Sequence, residues 1–240
     1  MLIPKKSLGQ NFLIDKNISK KIINLTLVKN KNILEIGPGY GFMTDEILLR
    51  KPKKLYLIEK DEVIFKYLQK KYENNKEVIV INADILNVNL DGYRDLIIIS
   101  NLPYNISTKV ILNLFNYNKN ILEMIFMVQK EVAKKFDYNL PNMNKYKFMT
   151  KMFSKYSRCF DVSSQVFIPK PKVRSSVVKL ILNKNTEDMM KLKNFSDTIF
   201  KNVRKKINNN INIKNSKSYL LNKRVNQLTI KELLQIYNFF

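Results

Sequence analysis

Histidine and tryptophan are absent from the 240 residues, and cysteine occurs once, at Cys159. Without histidine, the Ser-His-Asp and Cys-His nucleophile systems are excluded, as is every metal site that needs a histidine ligand. A single cysteine excludes an intrachain disulfide and a zinc finger built on cysteines. We therefore predict no metal site, and we expect any chemistry to depend on other side chains and on the backbone.

Long hydrophobic runs are also absent. No segment reaches the length of a membrane-spanning helix, and the N-terminal stretch MLIPKKSLGQNF has no apolar core long enough for a signal peptide. The sequence therefore predicts a cytoplasmic protein without a membrane association.

Acidic residues are few, with 20 Asp and Glu against 43 Lys and Arg, which gives a formal net charge of +23. This excess favours a polyanionic partner, with nucleic acid as the first candidate and an anionic membrane surface as the second. A codon bias that enriches Lys, Asn and Ile is an alternative explanation for part of the excess.

Short apolar runs alternate with helical patterns between residues 32 and 128. The runs cover residues 32–36, 54–58, 77–81, 94–100 and 122–128. They are nearly continuous in apolar residues, as expected for strands that are buried on both faces. Segments with helical spacing, such as 61–73 and 106–116, lie between them. This alternation predicts an α/β fold with an open parallel sheet and helices on both sides.

The pattern changes on either side of this region. Residues 14–28 predict a leading helix, and residues 177–182 form an alternating strand after a segment with two prolines. Residues 185–240 are helical in pattern and strongly basic, without a further strand. We therefore predict a first domain over residues 1–184 and a small, basic, all-helical domain over residues 185–240.

Glycine is scarce, yet three of the five glycines fall in EIGPGYG, residues 35–41. The cluster follows the first strand and opens a helix, where glycine permits a tight turn and close approach of a ligand to the main chain. A plain strand-to-helix turn is the alternative. The spacing is not the G-x-G-x-x-G of a dinucleotide fold, and no G-K-[ST] ending follows. Glu35 would repel phosphate and suits a cationic ligand, such as the sulfonium of S-adenosylmethionine.

Acidic residues follow the next two strands. Glu59 closes the second strand, where a carboxylate can accept hydrogen bonds from both ribose hydroxyls of a nucleoside. Asp84 follows the third strand and is placed to accept a hydrogen bond from an adenine amino group. Acids at strand ends often only cap helices. Here, however, the two acids follow the glycine loop in sequence, one at the end of each strand. Together with the loop they predict a site for adenosine.

The stretch SNLPYNIST, residues 100–108, follows the fourth strand, and ligands of such sheets bind at the carboxyl ends of the strands. The Asn101 side-chain oxygen and the Leu102 carbonyl can accept hydrogen bonds from the exocyclic amine of a base. Pro103 stiffens the loop, and Tyr104 offers a flat face for stacking. Positioning and electrostatics could then carry the catalysis. The alternative is a helix N-cap at Asn101 beside a core tyrosine.

Five ordered motifs resemble those of the ribosomal RNA adenine N6,N6-dimethyltransferases. They are LGQNFL (8–13), EIGPGYG (35–41), NLPYNIST (101–108), MVQKEVA (127–133) and FIPKPKVRSSVVKL (167–180). The resemblance implies a Rossmann-like methyltransferase domain with a small helical domain. It also implies S-adenosylmethionine as the methyl donor and dimethylation of adenines in ribosomal RNA.

The resemblance also assigns roles to individual residues. It implies a cofactor set of Asn11, Leu13, Gly37, Glu59, Asp84 and Asn101, in which the first two fold over the cofactor. It further implies that Phe167 lies near the target base and sandwiches it with Tyr104. From the residues alone, Phe167 is more typical of a core side chain. Lys147 departs from the family pattern, which has glycine at this position before the helix.

The family has two substrate branches, the housekeeping enzymes of the small ribosomal subunit and the resistance enzymes of the large subunit. NLPYNIST, MVQKEVA and the tail RVNQLTIKELLQI are more similar to the housekeeping branch. We therefore expect a monomer that methylates small-subunit ribosomal RNA during ribosome biogenesis. Three alternatives stay open: a large-subunit enzyme, a non-catalytic ribosome-assembly or transcription factor, and a DNA amine methyltransferase.

Overall fold

A computed structural model of the chain describes residues 10–184, 189–211 and 218–240. The residue contacts divide the chain into two compact units. The first unit comprises the described residues of Met1–Ala133 together with Ser157–Leu182. The second comprises Lys134–Tyr156 together with the described residues of Asn183–Phe240.

The first unit contains most of the strands. They are β1 (Phe12–Leu13), β2 (Asn32–Ile36), β3 (Lys54–Glu59), β4 (Val78–Asn82), β5 (Leu96–Asn101), β6 (Ile121–Gln129), β7 (Ser154–Val162), β8 (Phe167–Ile168) and β9 (Ser175–Leu182). Seven of these form one sheet in the order β4-β3-β2-β5-β6-β9-β7. The neighbouring pairs from β4 to β6 are parallel, whereas β9 runs antiparallel to β6. The sheet is therefore mixed rather than purely parallel.

The helices of the first unit lie before, between and after these parallel strands, and the middle three connect β2 to β3, β3 to β4 and β5 to β6. They are α1 (Lys16–Ile23), α2 (Phe42–Leu48), α3 (Glu62–Lys71), α4 (Ser107–Leu114) and α5 (Lys130–Phe136), whose last residues belong to the second unit. After β2 the chain forms β3 and then β4, which is at one edge of the sheet. It then returns to the centre and forms β5, which lies on the other side of β2. Because parallel crossovers are right-handed, α2 and α3 cover one face and α4 covers the other. The predicted α/β architecture with helices on both faces is confirmed.

The register of the central strands brings two loops together. Glu35 of β2 lies opposite Ile99 of β5, so the segments that follow both strands leave the sheet side by side. The Ser100 hydroxyl donates a hydrogen bond of 2.6 Å to the Ile36 carbonyl across this junction. The strand order reverses between β2 and β5, and open α/β sheets bind ligands at such a switch point.

The second unit contains α6 (Lys145–Phe153), α7 (Met189–Ile199), α8 (Ser218–Leu221) and α9 (Ile230–Tyr237). The Phe148 ring centroid lies 5.5 Å from that of Phe195 and 6.2 Å from that of Phe200. These aromatic contacts join the segment 134–156 to the C-terminal helices. The structure therefore differs from the contiguous division at residue 184, which assigned 134–156 to the first domain.

Lys147, which replaces the glycine of the family pattern, has only 4% of its surface exposed. Its ammonium donates hydrogen bonds to the carbonyls of Leu140 (3.0 Å), Asn142 (3.1 Å) and Pro141. Burial lowers the pKa of this ammonium below its ordinary value. The lysine thus ties the preceding loop to α6, because three main-chain acceptors converge on one buried donor.

Two properties of the described residues concern membranes and metals. None of the described helices is long enough and apolar enough to cross a membrane. Within residues 10–184, 189–211 and 218–240, no group of three or more His, Cys, Asp or Glu side chains is arranged to hold a metal ion.

Candidate cofactor and target-base site

A cavity of about 180 Å³ opens at the carboxyl ends of the central strands. It lies in the first unit, between the N-terminal residues 10–13, here called the β1 segment, and the loops that follow β2, β3, β4 and β5. Ten residues were predicted from the sequence to bind the cofactor or the target base, and the lining includes nine of them: Asn11, Leu13, Gly37, Glu59, Asp84, Asn101, Leu102, Pro103 and Tyr104. Phe167 is not part of this lining.

The glycine loop has a backbone conformation that favours glycine. Gly37 and Gly39 have φ values of 61° and 56°, in the left-handed region. The nearest atoms to a Cβ built on Gly37 are those of the Pro103 ring at 3.9 Å. A Cβ built on Gly39, by contrast, would lie 2.8 Å from the Phe12 ring. The main chain at Gly37 therefore stays accessible from the cavity, while Gly39 lets β1 pack closely against the loop.

We expect Gly39→Ala to lower the free energy of unfolding by about 1–3 kcal/mol, because the residue combines a left-handed φ with a contact that a methyl group would violate. Chemical denaturation measures this change. Gly92→Ala is the matched control, since a Cβ there meets no atom of the described residues within 4 Å and its φ is not left-handed. Equal stability of the two variants would show that the contact between Gly39 and Phe12 does not constrain the loop.

Glu59 ends β3 at the floor of the cavity and is 6% exposed. Its Oε1 accepts a hydrogen bond of 2.8 Å from the Asp61 backbone N–H. Burial raises the pKa of this carboxyl above its ordinary value, and hydrogen bonds from the backbone N–H groups of Asp61 and Gly39 oppose that rise. The carboxyl group is thus held by the backbone at a fixed position that borders the cavity.

Asp84 follows β4 and has two partners in the structure. Its Oδ1 accepts a hydrogen bond of 3.0 Å from the Leu86 backbone N–H and so caps the 3-10 helix Ile85–Asn87. Its Oδ2 lies 2.8 Å from the Lys60 ammonium. The hydrogen bond from Lys60 lowers the pKa of Asp84, which keeps the carboxylate ionised. A carboxylate oxygen has a second lone pair, so both oxygens can still accept a further donor.

Glu35 is buried beneath the glycine loop with 1% of its surface exposed. The Thr44 hydroxyl donates a hydrogen bond of 2.6 Å to its Oε2. Burial raises the pKa of Glu35 to about 8, so the neutral acid predominates at pH 7. Glu35 therefore does not carry the phosphate-repelling negative charge that the sequence predicts, because desolvation suppresses the ionised form.

We expect Glu35→Gln to remove a pH dependence of stability. Burial raises the pKa of the Glu35 carboxyl from 4.5 to about 8. At pH values between these two pKa values, the carboxyl therefore takes up a proton when the chain folds. Wild-type stability should therefore fall as the pH rises through this window, because the folded state binds more protons than the unfolded state. Relative to Glu35→Gln, we expect the wild type to lose at least about 1 kcal/mol of unfolding free energy between about pH 5 and 8. Urea denaturation across this range measures the difference.

The control for this titration is Glu62→Gln, since Glu62 is exposed and pairs with Lys66 on α3. Its pKa is lowered rather than raised, mainly by its hydrogen bond with Lys66, so it remains ionised throughout the window. Parallel stability curves for the wild type and Glu35→Gln would contradict the buried, proton-binding state of Glu35.

Asn101 ends β5 and has one satisfied and one unsatisfied polar atom. Its Nδ2 donates a hydrogen bond of 2.7 Å to the Asn11 carbonyl, which holds the β1 segment over the cavity. Its Oδ1 is buried and has no hydrogen-bond partner within the described parts of the chain. A buried acceptor without a partner is unfavourable, and native proteins retain few of them. The Oδ1 atom is therefore ready to accept a hydrogen bond from a ligand.

The rest of the NLPY loop is rigidly placed. The Leu102 backbone N–H donates to the Met127 carbonyl on β6 (3.1 Å), and the Pro103 carbonyl accepts from the Ser107 N–H (3.0 Å) at the start of α4. Tyr104 is half-buried, and its hydroxyl lies 2.6 Å from the Ser175 hydroxyl of β9. The loop is thus attached to β6 and β9, the next two strands beyond β5 in the sheet.

Phe167 lies on β8, opposite Leu13 of β1 in an antiparallel pair, and is only 2% exposed. This agrees with the core position that its residue type indicates. The stacking role implied by the family resemblance stays a prediction.

Several lining residues were not expected from the sequence, among them Phe12, Tyr40 and Lys60. The Phe12 and Tyr40 rings meet edge to face with centroids 5.2 Å apart, and Tyr40 packs likewise on Tyr67 at 5.3 Å. No spacing in the sequence indicates this aromatic row, because its members come from three separate elements. Lys60 had a usable signal, since it directly follows Glu59 at a strand end.

Taken together, the fold and the cavity define a class of protein. A glycine loop at the switch point of the sheet, next to an acid at the end of the following strand, is typical of nucleoside-binding sites in open α/β folds. The Asn101 Oδ1, which has no partner among the described residues, borders the same cavity. These features are those of an S-adenosylmethionine-dependent methyltransferase that acts on amino groups.

Comparisons with known proteins identify the family. A model described as ribosomal RNA adenine dimethylase matches residues 2–240. A curated relative from Hydrogenobaculum sp. (strain Y04AAS1), named ribosomal RNA small subunit methyltransferase A, is 38% identical over 99% of this chain and 94% of its own length. The chain belongs to the ribosomal RNA adenine dimethylase family, so it is a methyltransferase that uses S-adenosylmethionine.

Two solved structures are similar in fold. The 23S rRNA methyltransferase ErmE has a TM-score of 0.76 and 19% identity, with 95% of this chain and 98% of that chain covered. A dimethyladenosine transferase from Plasmodium falciparum has a TM-score of 0.76 and 24% identity, with 94% and 95% covered. At these identities the likeness shows the fold alone.

Proposed function

We propose that this protein transfers methyl groups from S-adenosylmethionine to the N6 atoms of adenosines in small-subunit ribosomal RNA, and that it forms N6,N6-dimethyladenosine during ribosome biogenesis. The observation that supports this chemistry is the buried Oδ1 of Asn101 in the cavity lining, which no described residue of the chain partners. An adenine amino group offers the N–H donor that this acceptor lacks. The subunit is taken from the relative that matches this chain over nearly its full length.

The cavity residues fit the cofactor by their chemistry. S-adenosylmethionine, when bound, supplies a methyl group on a positively charged sulfur. Glu59 would accept hydrogen bonds from the ribose hydroxyls, and Asp84 would accept one from the adenine amino group. The accessible main chain at Gly37 allows close approach, and Asn11 and Leu13 would cover the site from the β1 segment.

The NLPY loop would act on the target base. The amine of adenine is a poor nucleophile because its lone pair is delocalised into the ring. Hydrogen bonds from the amine to the Asn101 Oδ1 and the Leu102 carbonyl would orient it and favour a lone pair directed at the methyl donor. Pro103 limits loop motion, and Tyr104 would stack on the base, with Phe167 as a second stacking partner. No histidine is needed.

The alternatives have weaker support. The likeness to the 23S rRNA methyltransferase ErmE concerns the fold alone, whereas the 38% identical relative is named for the small subunit. A non-catalytic ribosome-assembly factor would not need Glu59, Asp84 and the Asn101 acceptor around one cavity. We further propose that the net charge of +23 serves binding to ribosomal RNA in the cytoplasm, and that the protein acts as a monomer.

The test is methyl transfer from labelled S-adenosylmethionine to purified, unmethylated small and large ribosomal subunits in parallel, with duplex DNA as a third substrate. We expect label in the small-subunit RNA only. Label in the large-subunit RNA would assign the protein to the large-subunit branch of the family. Label in DNA would show that its substrate is DNA. Binding of small-subunit RNA without transfer would indicate a non-catalytic protein.

A further inference from the structure

We propose that Ser175 is a positioning residue for Tyr104, which it holds through a hydrogen bond between the two hydroxyl groups. The inference rests on the proposed function, in which the Tyr104 ring stacks on the target adenine. Ser175 lies 71 positions after Tyr104 in the sequence, yet the hydroxyl oxygens of the two residues are 2.6 Å apart.

Ser175 is a fixed point in the sheet. It begins β9, where it pairs with Gln129 of β6, and it is fully buried. The preceding residue, Arg174, accepts a hydrogen bond of 3.0 Å from the Lys130 backbone N–H, so the entry to the strand is also held. The backbone and the Cβ of a residue on such a strand cannot move without disturbing the sheet, so its hydroxyl starts from a fixed position and gives a loop residue a stable partner.

Tyr104, by contrast, belongs to the loop between β5 and α4. Its carbonyl accepts a hydrogen bond of 3.2 Å from the Ser107 hydroxyl, which fixes the backbone but not the ring. The ring can turn about two side-chain bonds, and stacking requires one orientation. The bond to Ser175 fixes the far end of the ring. Burial raises the pKa of the Tyr104 phenol, so the hydroxyl stays protonated and can donate or accept.

The next residue supplies a matched control. Ser176 is also fully buried on β9, but its hydroxyl donates a hydrogen bond of 2.6 Å to Asp161, which pairs with Lys130 at 2.7 Å. Successive strand residues point to opposite faces of a sheet. Ser176→Ala therefore removes the same hydroxyl from the same strand without touching Tyr104.

The experiment measures single-turnover methyl transfer to unmethylated small subunits, together with S-adenosylmethionine affinity by calorimetry. We expect Ser175→Ala to slow transfer by about 5- to 50-fold, since small misplacements of a positioned group lower rates steeply. Cofactor affinity should stay within about twofold of the wild type, and Ser176→Ala should transfer at close to the wild-type rate. In a Tyr104→Phe background, Ser175→Ala should cause no further loss, because the hydrogen bond is already absent.

Three results would overturn the inference: a wild-type rate for Ser175→Ala, an equal loss for Ser176→Ala, or additive losses with Tyr104→Phe. If Ser175→Ala does not fold, the test relies on Tyr104→Phe alone. Methyl transfer by that variant at the wild-type rate would refute the positioning role of Ser175. Absence of transfer by the wild type would refute the proposed function instead. Chemical denaturation of the four proteins of the cycle would then test the hydrogen bond, and strictly additive losses of stability would overturn it.

Discussion

Asn101→Ala is expected to slow methyl transfer by about 100-fold or more, while S-adenosylmethionine binding weakens much less. The expected loss of rate follows from the buried Oδ1, whose partner in the reaction would be the adenine amino group. The smaller effect on affinity follows from the Nδ2 atom, which holds the Asn11 carbonyl and thereby the segment that covers the cavity. Single-turnover kinetics and calorimetry separate the two effects.

The control is Asn116→Ala, because Asn116 is exposed and its amide bonds to the Asn113 side chain, away from the cavity. It should leave both quantities unchanged. If Asn101→Ala lost affinity and rate to the same extent, the residue would act mainly by holding the β1 segment, and its role toward the target amine would be wrong.

Glu59→Ala is expected to weaken S-adenosylmethionine binding by about 10- to 100-fold, because hydrogen bonds to a charged group contribute roughly 1.5–3 kcal/mol. The carboxyl group lies at the cavity and is oriented by the Asp61 backbone N–H. Glu62→Ala, three residues along the chain and exposed, should bind the cofactor as the wild type does. Calorimetry measures both affinities, and chemical denaturation verifies that Glu59→Ala is folded.

Affinity of Glu59→Ala equal to that of the wild type would remove Glu59 from the cofactor set. The ribose would then have to be bound by another donor or acceptor of the cavity, and the analogy with the acid of dinucleotide folds would not apply to the end of β3.

The parallel part of the fold was predictable because its strands are buried on both faces. β2 coincides with the predicted run 32–36, and β3 to β6 begin and end within about two residues of the predictions. β7 was missed for the opposite reason. It lies at the edge of the sheet, so the segment SKYSRCFDV has several exposed polar positions and shows no continuous apolar run.

The local motifs of the site were also predictable, since each lies within one loop at the end of one strand. Contacts between distant segments were not. The bond between Tyr104 and Ser175, the pairing of Leu13 with Phe167, and the packing of Phe148 on Phe195 each join parts of the chain that no local pattern relates. The suppressed charge of Glu35 likewise depends on burial by the whole fold.

The central claim is tested most directly by mass spectrometry of nucleosides from small-subunit RNA, after reaction of unmethylated subunits with the wild-type protein and S-adenosylmethionine. We predict N6,N6-dimethyladenosine as the final product, at adenosines of the small-subunit RNA and not in large-subunit RNA treated alongside. Accumulation of N6-methyladenosine without the dimethylated nucleoside, or product confined to the large subunit, would contradict the account.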